Sequence, residues 1–169
     1  RLELADVDSA AVHRRLDADE ADLGLASGPG APAVAGTVLA VDPLGIVCRP
    51  DHPVAANGAD VRWADLARGP FIANPLCALV DHPGIRELVE RSPLVARNTT
   101  TLLSFVRAGL GATILPARVI AAGSTLLFLR PADPPVDREV HLLYRRNRRR
   151  DPAVEAFHTA LLDLGTGSP

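Results

Sequence analysis

Residues 102–116 read LLSFVRAGLGATILP, and this stretch predicts a helix followed at once by a strand. The helix is expected over residues 99–108, with Thr99, Thr100 and Thr101 supplying its N-caps. Apolar side chains recur at helical spacing and form one stripe, which consists of Leu102, Leu103, Val106 and Leu110. The stripe predicts that one face of this helix packs against the core of the protein.

Gly109-Leu110-Gly111, in the same stretch, superficially resembles a phosphate-binding loop. A dinucleotide-binding turn, however, follows a strand and opens a helix, whereas these glycines follow a helix and precede the expected strand 112–115. The better interpretation is that the glycines end the helix.

Strand-like and helix-like segments alternate on both sides of this stretch. Asp42-Pro43 is expected to form a turn or bend between two strands. In the last expected helix, the spacing of the apolar residues predicts that Phe157 faces the core. The alternation predicts an α/β protein with a mostly parallel sheet and helices on both faces. Chain crossings near residues 50 and 140 would give two lobes with a cleft between them. Strands are expected at 2–4, 22–27, 37–41, 44–48, 71–73, 94–96, 126–129 and 139–144, and helices at 9–16, 83–90, 117–122 and 153–164.

The composition is that of an ordinary globular protein, with 169 residues, 47% apolar and 22% charged. All 18 basic residues are arginine, which excludes Schiff-base and P-loop chemistry that needs a lysine. The net charge of −2 argues against nucleic-acid binding by the chain as a whole. One basic run has two interpretations, a nucleic-acid patch or solvated arginines paired with carboxylates, and it contains Arg145, Arg146, Arg148, Arg149 and Arg150.

The cysteines and the apolar runs indicate a cytoplasmic protein. Cys48 and Cys77 lie in no metal-binding motif, and a reduced compartment is the default for such cysteines. No apolar run is long enough to span a membrane. The first residues, RLELADVD, lack the basic and apolar regions of a signal peptide.

Catalytic and cofactor-binding motifs are not found in the sequence. The five histidines show no metal-ligand spacing, and no serine lies in a G-x-S-x-G turn. Asp81 is expected to cap the helix that begins near Pro83. We therefore expect no catalytic residue, no metal and no cofactor.

Four blocks, in this order and spacing, resemble the effector-binding domain of LysR-type transcriptional regulators. The family's winged helix-turn-helix and linker helix have no counterpart, and neither have the first strand and helix of its effector domain, since RLELADVD matches the second strand. The resemblance implies a bilobed fold like that of type II periplasmic binding proteins, in which two mixed sheets are flanked by helices with a cleft between them. Lobe I, N-terminally incomplete, would lie at 1–49 plus 139–164, lobe II at 50–138 and a tail at 165–169. The blocks are DEADLGLASGP (19–29), VDPLGIVCRPDHPVA (41–55), LLSFVRAGLGATILP (102–116) and REVHLLYRRNRRRDPAVEAFHTALL (138–162).

The resemblance implies that a small metabolite binds between the lobes and changes how subunits are arranged, and thereby controls transcription. It also implies a homodimer of this domain, a tetramer of the whole regulator, and DNA binding only through the absent N-terminal domain. Residues 9–16 and 84–91 are the candidate dimer contacts. An extracytoplasmic solute-binding protein and an enzyme on the same scaffold are the alternatives.

Polar turns at the carboxyl ends of expected strands are the candidate effector site, because ligands of open α/β sheets bind there. Hydroxyls, amides and helix N-termini can hold a carboxylate without a buried countercharge, so an organic acid is the expected effector. The alternatives are that the threonines only cap a helix, that Ser27 and Asn74 are plain turn residues, and that Cys77 is a small buried residue rather than a sensing thiol. The candidate residues are Ser27, Asn74, Leu76, Cys77, Thr99, Thr100 and Thr101.

Overall fold

The computed structural model describes residues 1–28, 30–146 and 151–166. The chain divides into two compact units, one formed by Arg1–Val41 and Glu139–Pro169 and the other by Asp42–Arg138. The second unit begins earlier than the boundary expected between residues 49 and 50, because residues 44–48 pair with strands of that unit.

In the first unit, a helix packs on a two-stranded antiparallel ladder. Helix α1 (Ser9–Asp17) begins at Asp8, whose carboxylate accepts a hydrogen bond of 2.8 Å from Ala11 N. Strand β1 (Gly24–Ser27) pairs with the later strand β5 (Val136–Arg145), so that Ala26 lies opposite His141. The buried hydrophobic cluster of this unit consists of Leu16, Ala26, Val34 and Leu143.

Strand β2 (Val34–Cys48) is one continuous strand of 15 residues, and it passes through Asp42-Pro43 without a turn. The expectation of two strands separated by a turn or bend is therefore wrong. The ladder with β3 (Thr113–Pro116) starts at Leu44, so Pro43 lies just outside it. A proline at that position removes no hydrogen bond from the ladder.

The second unit is built around the second half of β2. Residues 44–48 pair antiparallel with β3 and with β4 (Leu127–Leu129), and the strands follow the order β1-β5-β2-β3 with β4 also on β2. Parallel pairing among the described residues is confined to two isolated bridges, Phe71 with Ala112 and Ala73 with Val95. The expected mostly parallel sheet is therefore wrong, because hydrophobic periodicity identifies a strand without giving its direction.

Two α-helices and several 3-10 turns cover this sheet. Helix α2 (Pro83–Arg91) is capped by His82, whose Nδ1 accepts a hydrogen bond of 3.1 Å from Gly84 N. Asp81 is not the cap, because its carboxylate pairs with Arg86 at 2.6 Å. Helix α3 (Thr99–Arg107) ends before Gly109, which has φ of 80°, as the glycine pattern predicts. The 3-10 turns are Pro53–Asp60, Trp63–Arg68, Pro75–Leu79 and Ala117–Val119.

The ends of the chain differ from expectation in three ways. Residues 1–8 form no strand, because an extended segment needs a neighbour for its hydrogen bonds and none of the described residues supplies one. Helix α4 (Pro152–Thr166) includes the first two residues of the expected tail, and 167–169 lie outside the described residues. Phe157 is 36% exposed, so it does not face the core as its spacing predicts.

Candidate functional site

Asn74 is the most strongly held of the candidate residues. Its side chain is 5% exposed, and its amide Nδ2 donates hydrogen bonds of 2.9 Å to Thr113 Oγ1 and to the carbonyl of Ile114. Its Oδ1 accepts a hydrogen bond of 2.8 Å from Leu76 N. Both amide protons are thus used inside the second unit, and Asn74 positions the turn that carries Leu76.

The N-cap of α3 is Asn98, whose Oδ1 accepts a hydrogen bond of 3.1 Å from Thr101 N. The expectation that Thr99, Thr100 and Thr101 supply the cap is wrong, because they occupy the first turn itself. Their side chains are exposed. Since the cap is made by another residue, these hydroxyls lie at the positive end of the helix dipole and are accessible to a ligand.

The bridge between Ala73 and Val95 brings the two polar turns of the second unit to one edge. Ala73 N donates to Leu94 O and Ala96 N donates to Ala73 O, both at 3.0 Å, so segments 71–73 and 94–96 run parallel. Their carboxyl ends therefore lie side by side. Asn74 follows one end, and Arg97, Asn98 and the three threonines follow the other.

Arg97 is a residue that the sequence reasoning missed. It is exposed and lies between the end of segment 94–96 and the cap of α3. Its position in the sequence could have identified it as a candidate, because it directly follows a predicted strand and lies on the turn before the clearest predicted helix. A guanidinium there adds a positive charge beside the helix N-terminus.

Cys77 and Leu76 face into the second unit. Cys77 is 2% exposed and belongs to the same hydrophobic cluster as Cys48. Burial raises the pKa of the Cys77 thiol to about 11, which keeps the thiol protonated at neutral pH. This environment favours the interpretation of Cys77 as a small apolar core residue. Leu76 is half-buried against a second cluster that contains Leu102 and Val106.

Ser27 belongs to the first unit, whereas the other six candidates belong to the second. It is half-buried at the end of β1, and its N–H donates a hydrogen bond of 3.1 Å to Ser9 Oγ in the first turn of α1. On the neighbouring strand, His141 Nε2 lies 3.0 Å from Glu139 Oε2, and its buried Nδ1 has no hydrogen-bond partner among the described residues. No motif in the sequence singles out this histidine.

No group of three or more His, Cys, Asp or Glu side chains among the described residues could hold a metal ion. Within the same residues, no helix is both long and apolar enough to cross a membrane.

In the basic run, Arg145 pairs with Asp19 at 3.3 Å, which agrees with the interpretation of arginines paired with carboxylates. Arg148, Arg149 and Arg150 lie outside the described residues.

The family model of the LysR substrate binding domain matches residues 1–165. The chain belongs to this family. The resemblance carried by the four sequence blocks is thereby confirmed, as is the periplasmic-binding-protein-like α/β fold of the domain. It is the type of domain with which LysR-type regulators bind small effectors.

Two curated relatives come from Escherichia coli strain K12, and both are uncharacterized HTH-type transcriptional regulators. YbhD is 27% identical over 142 residues, which cover 77% of this chain and 43% of YbhD. YnfL is 27% identical over 151 residues, which cover 84% of this chain and 50% of YnfL. The chain thus spans about half the length of these relatives.

Solved structures show the same fold at low identity. The QuiR effector-binding domain in complex with shikimate has a TM-score of 0.75 at 21% identity, with 95% of this chain and 79% of that chain covered. The regulatory domain of CcmR from Synechocystis PCC6803, in complex with 2-PG, also has a TM-score of 0.75, at 18% identity with 96% and 82% covered. The cofactor-binding domain of the Cbl regulator has a TM-score of 0.78 at 20% identity, with 100% and 76% covered.

Proposed function

We propose that this chain is the sensor domain of a LysR-type transcriptional regulator and that its effector is a small organic acid. The observation that carries the proposal is the pair of polar turns at one edge of the second unit. There, the exposed first turn of α3 lies beside the turn that Asn74 holds in place.

The chemistry of this edge suits a carboxylate. The first turn of an α-helix leaves N–H groups without intrahelical partners, and its dipole favours negative charge. Hydroxyls of Thr99, Thr100 and Thr101 add donors, and the exposed guanidinium of Arg97 adds a positive charge. Asn74 has a positioning role in this proposal, because both of its amide protons are already donated inside the unit.

The two units correspond to two lobes, and Ser27, in the first of them, stays a candidate effector contact in its own right. Effector binding shifts the balance between subunit arrangements of a cytoplasmic homo-oligomer, which requires that the effector bind one arrangement more tightly. DNA is contacted by another part of the regulator. That the QuiR and CcmR domains were solved with shikimate and 2-PG supports a small-molecule effector for this domain.

Isothermal titration calorimetry with a panel of small organic acids, each paired with its neutral amide, tests the proposal. At least one acid should bind and its amide should bind much more weakly. Thr100→Val should then weaken the acid by roughly 1–3 kcal/mol, since a hydrogen bond to a charged group is lost. Thr159→Val is the matched control, because Thr159 is exposed on α4 and bonds Glu155 O within its own helix. Equal affinity for acids and amides would contradict the organic-acid assignment.

A further inference from the structure

The two points where the chain passes between the units are occupied by residues of opposite charge. The second unit begins at Asp42, in β2, and ends at Arg138, in β5. Arg138 Nη2 lies 3.6 Å from Asp42 Oδ2, so an ion pair joins the two connecting strands at this place.

This ion pair is largely buried. Asp42 is 2% exposed and the Arg138 side chain is 22% exposed. Arg118 N, in the 3-10 turn after β3, donates a hydrogen bond of 3.4 Å to Asp42 Oδ1. One buried carboxylate therefore joins three segments, namely β2, β5 and the turn 117–119.

Stability alone is a poor explanation for this arrangement. Desolvation lowers the pKa of Arg138, and its buried Nε has no hydrogen-bond partner among the described residues. Buried ion pairs with incomplete hydrogen bonding are often no more stable than apolar side chains of similar size. What such a pair can supply is specificity, because only one register of the two strands brings the charges together.

We propose that Asp42 and Arg138 form a latch that holds the two connecting strands in one register at the boundary of the second unit. The latch is independent of the identity of the effector and of the organic-acid proposal. It is broken when either charge is removed, and the strands at residues 39–43 and 137–141 then open more often.

The test compares four forms of the 169-residue chain, which are the wild type, Asp42→Asn, Arg138→Met and the double variant. Hydrogen exchange reports opening of the connecting strands. Exchange of the amides at residues 39–42 and 137–141 should be at least tenfold faster in the variants, with no matching change in the core of either unit.

Arg130→Met is the matched control, because Arg130 forms a shorter but exposed pair, 2.8 Å, with Asp137 on the same strand β5. Its loss should leave the hydrogen exchange of these strands unchanged. The single variants leave an uncompensated buried charge and can unfold, whereas the double variant removes both charges and keeps the test valid. If hydrogen exchange in the double variant is the same as in Arg130→Met, the latch does not exist.

Discussion

Asn74 donates a hydrogen bond of 2.9 Å to Thr113 Oγ1, and Thr113 Oγ1 donates one of 2.7 Å to Ile72 O. This short chain of bonds joins segment 71–73 to β3 inside the second unit. Both side chains are buried. Asn74, which the sequence predicts to be a ligand contact, is thus a structural link, and its loss should reduce the stability of the folded chain.

Asn74→Ala should lower the free energy of unfolding by at least about 2 kcal/mol, because each buried group left without a partner costs roughly 1–3 kcal/mol. The groups affected include Ile114 O and Leu76 N. Urea denaturation of the purified chain measures the change. Asn57→Ala is the control, since the hydrogen bond that Asn57 accepts from Arg68 is exposed. Equal effects of the two substitutions would contradict the structural role of Asn74.

Asn98→Ala should destabilise the chain by about 1 kcal/mol, because it removes the N-cap of α3. Thr99→Ala should change stability by less than about 0.5 kcal/mol, since Thr99 is exposed and is not the cap. Thermal unfolding followed by circular dichroism compares the two variants. A larger loss of stability for Thr99→Ala than for Asn98→Ala would support the expectation that the threonines cap the helix.

Gly111→Ala should destabilise the chain more than Gly123→Ala. Both glycines have positive φ, 154° and 77°, so both substitutions strain the backbone. Only at position 111 would the new Cβ lie 2.7 Å from Pro70 O, while at position 123 it meets nothing within 4 Å. Overpacking of this kind costs about 1–3 kcal/mol beyond the shared strain, as urea denaturation should show.

Stability should fall as the pH rises from 9 to 11. Burial raises the pKa of Cys48 and of Cys77 from 9.0 to about 11, so the folded state keeps two protons that the unfolded state loses in this range. The stabilisation is therefore complete below pH 9 and is lost as the pH approaches 11. Urea denaturation at several pH values measures the slope, and a Cys48→Ala, Cys77→Ala variant should show a shallower one. Identical slopes would contradict the burial of the thiols.

Elements with a clear local pattern could be predicted from the sequence. The stripe of Leu102 and Val106, followed by Gly109, predicted α3 to within one residue of its observed end. The spacing and order of four blocks were enough to assign the family. Such patterns are local because helical periodicity and a glycine with positive φ depend only on neighbouring residues.

The candidate site was predicted in part. The sequence identified the turns that follow segments 71–73 and 94–96, but it gave the wrong cap for α3 and it missed Arg97. Residues of the same polar type stood next to each other at positions 98–101, and local spacing does not decide which of them caps a helix and which remain exposed. The remaining candidate, Ser27, lies in the other unit.

The sequence by itself determined the family, the identity of most helices and the polar character of the turns that follow the strands. Only the tertiary structure decided that β2 continues through Pro43, that Asn74 is bonded to Thr113, and that Asp42 meets Arg138. The physical reason is that these outcomes depend on partners far away in the chain. Asn74 and Thr113, for example, are 39 residues apart in the sequence. The sequence specifies the chemical type of a side chain, but the packing of the whole unit determines its hydrogen-bond partner.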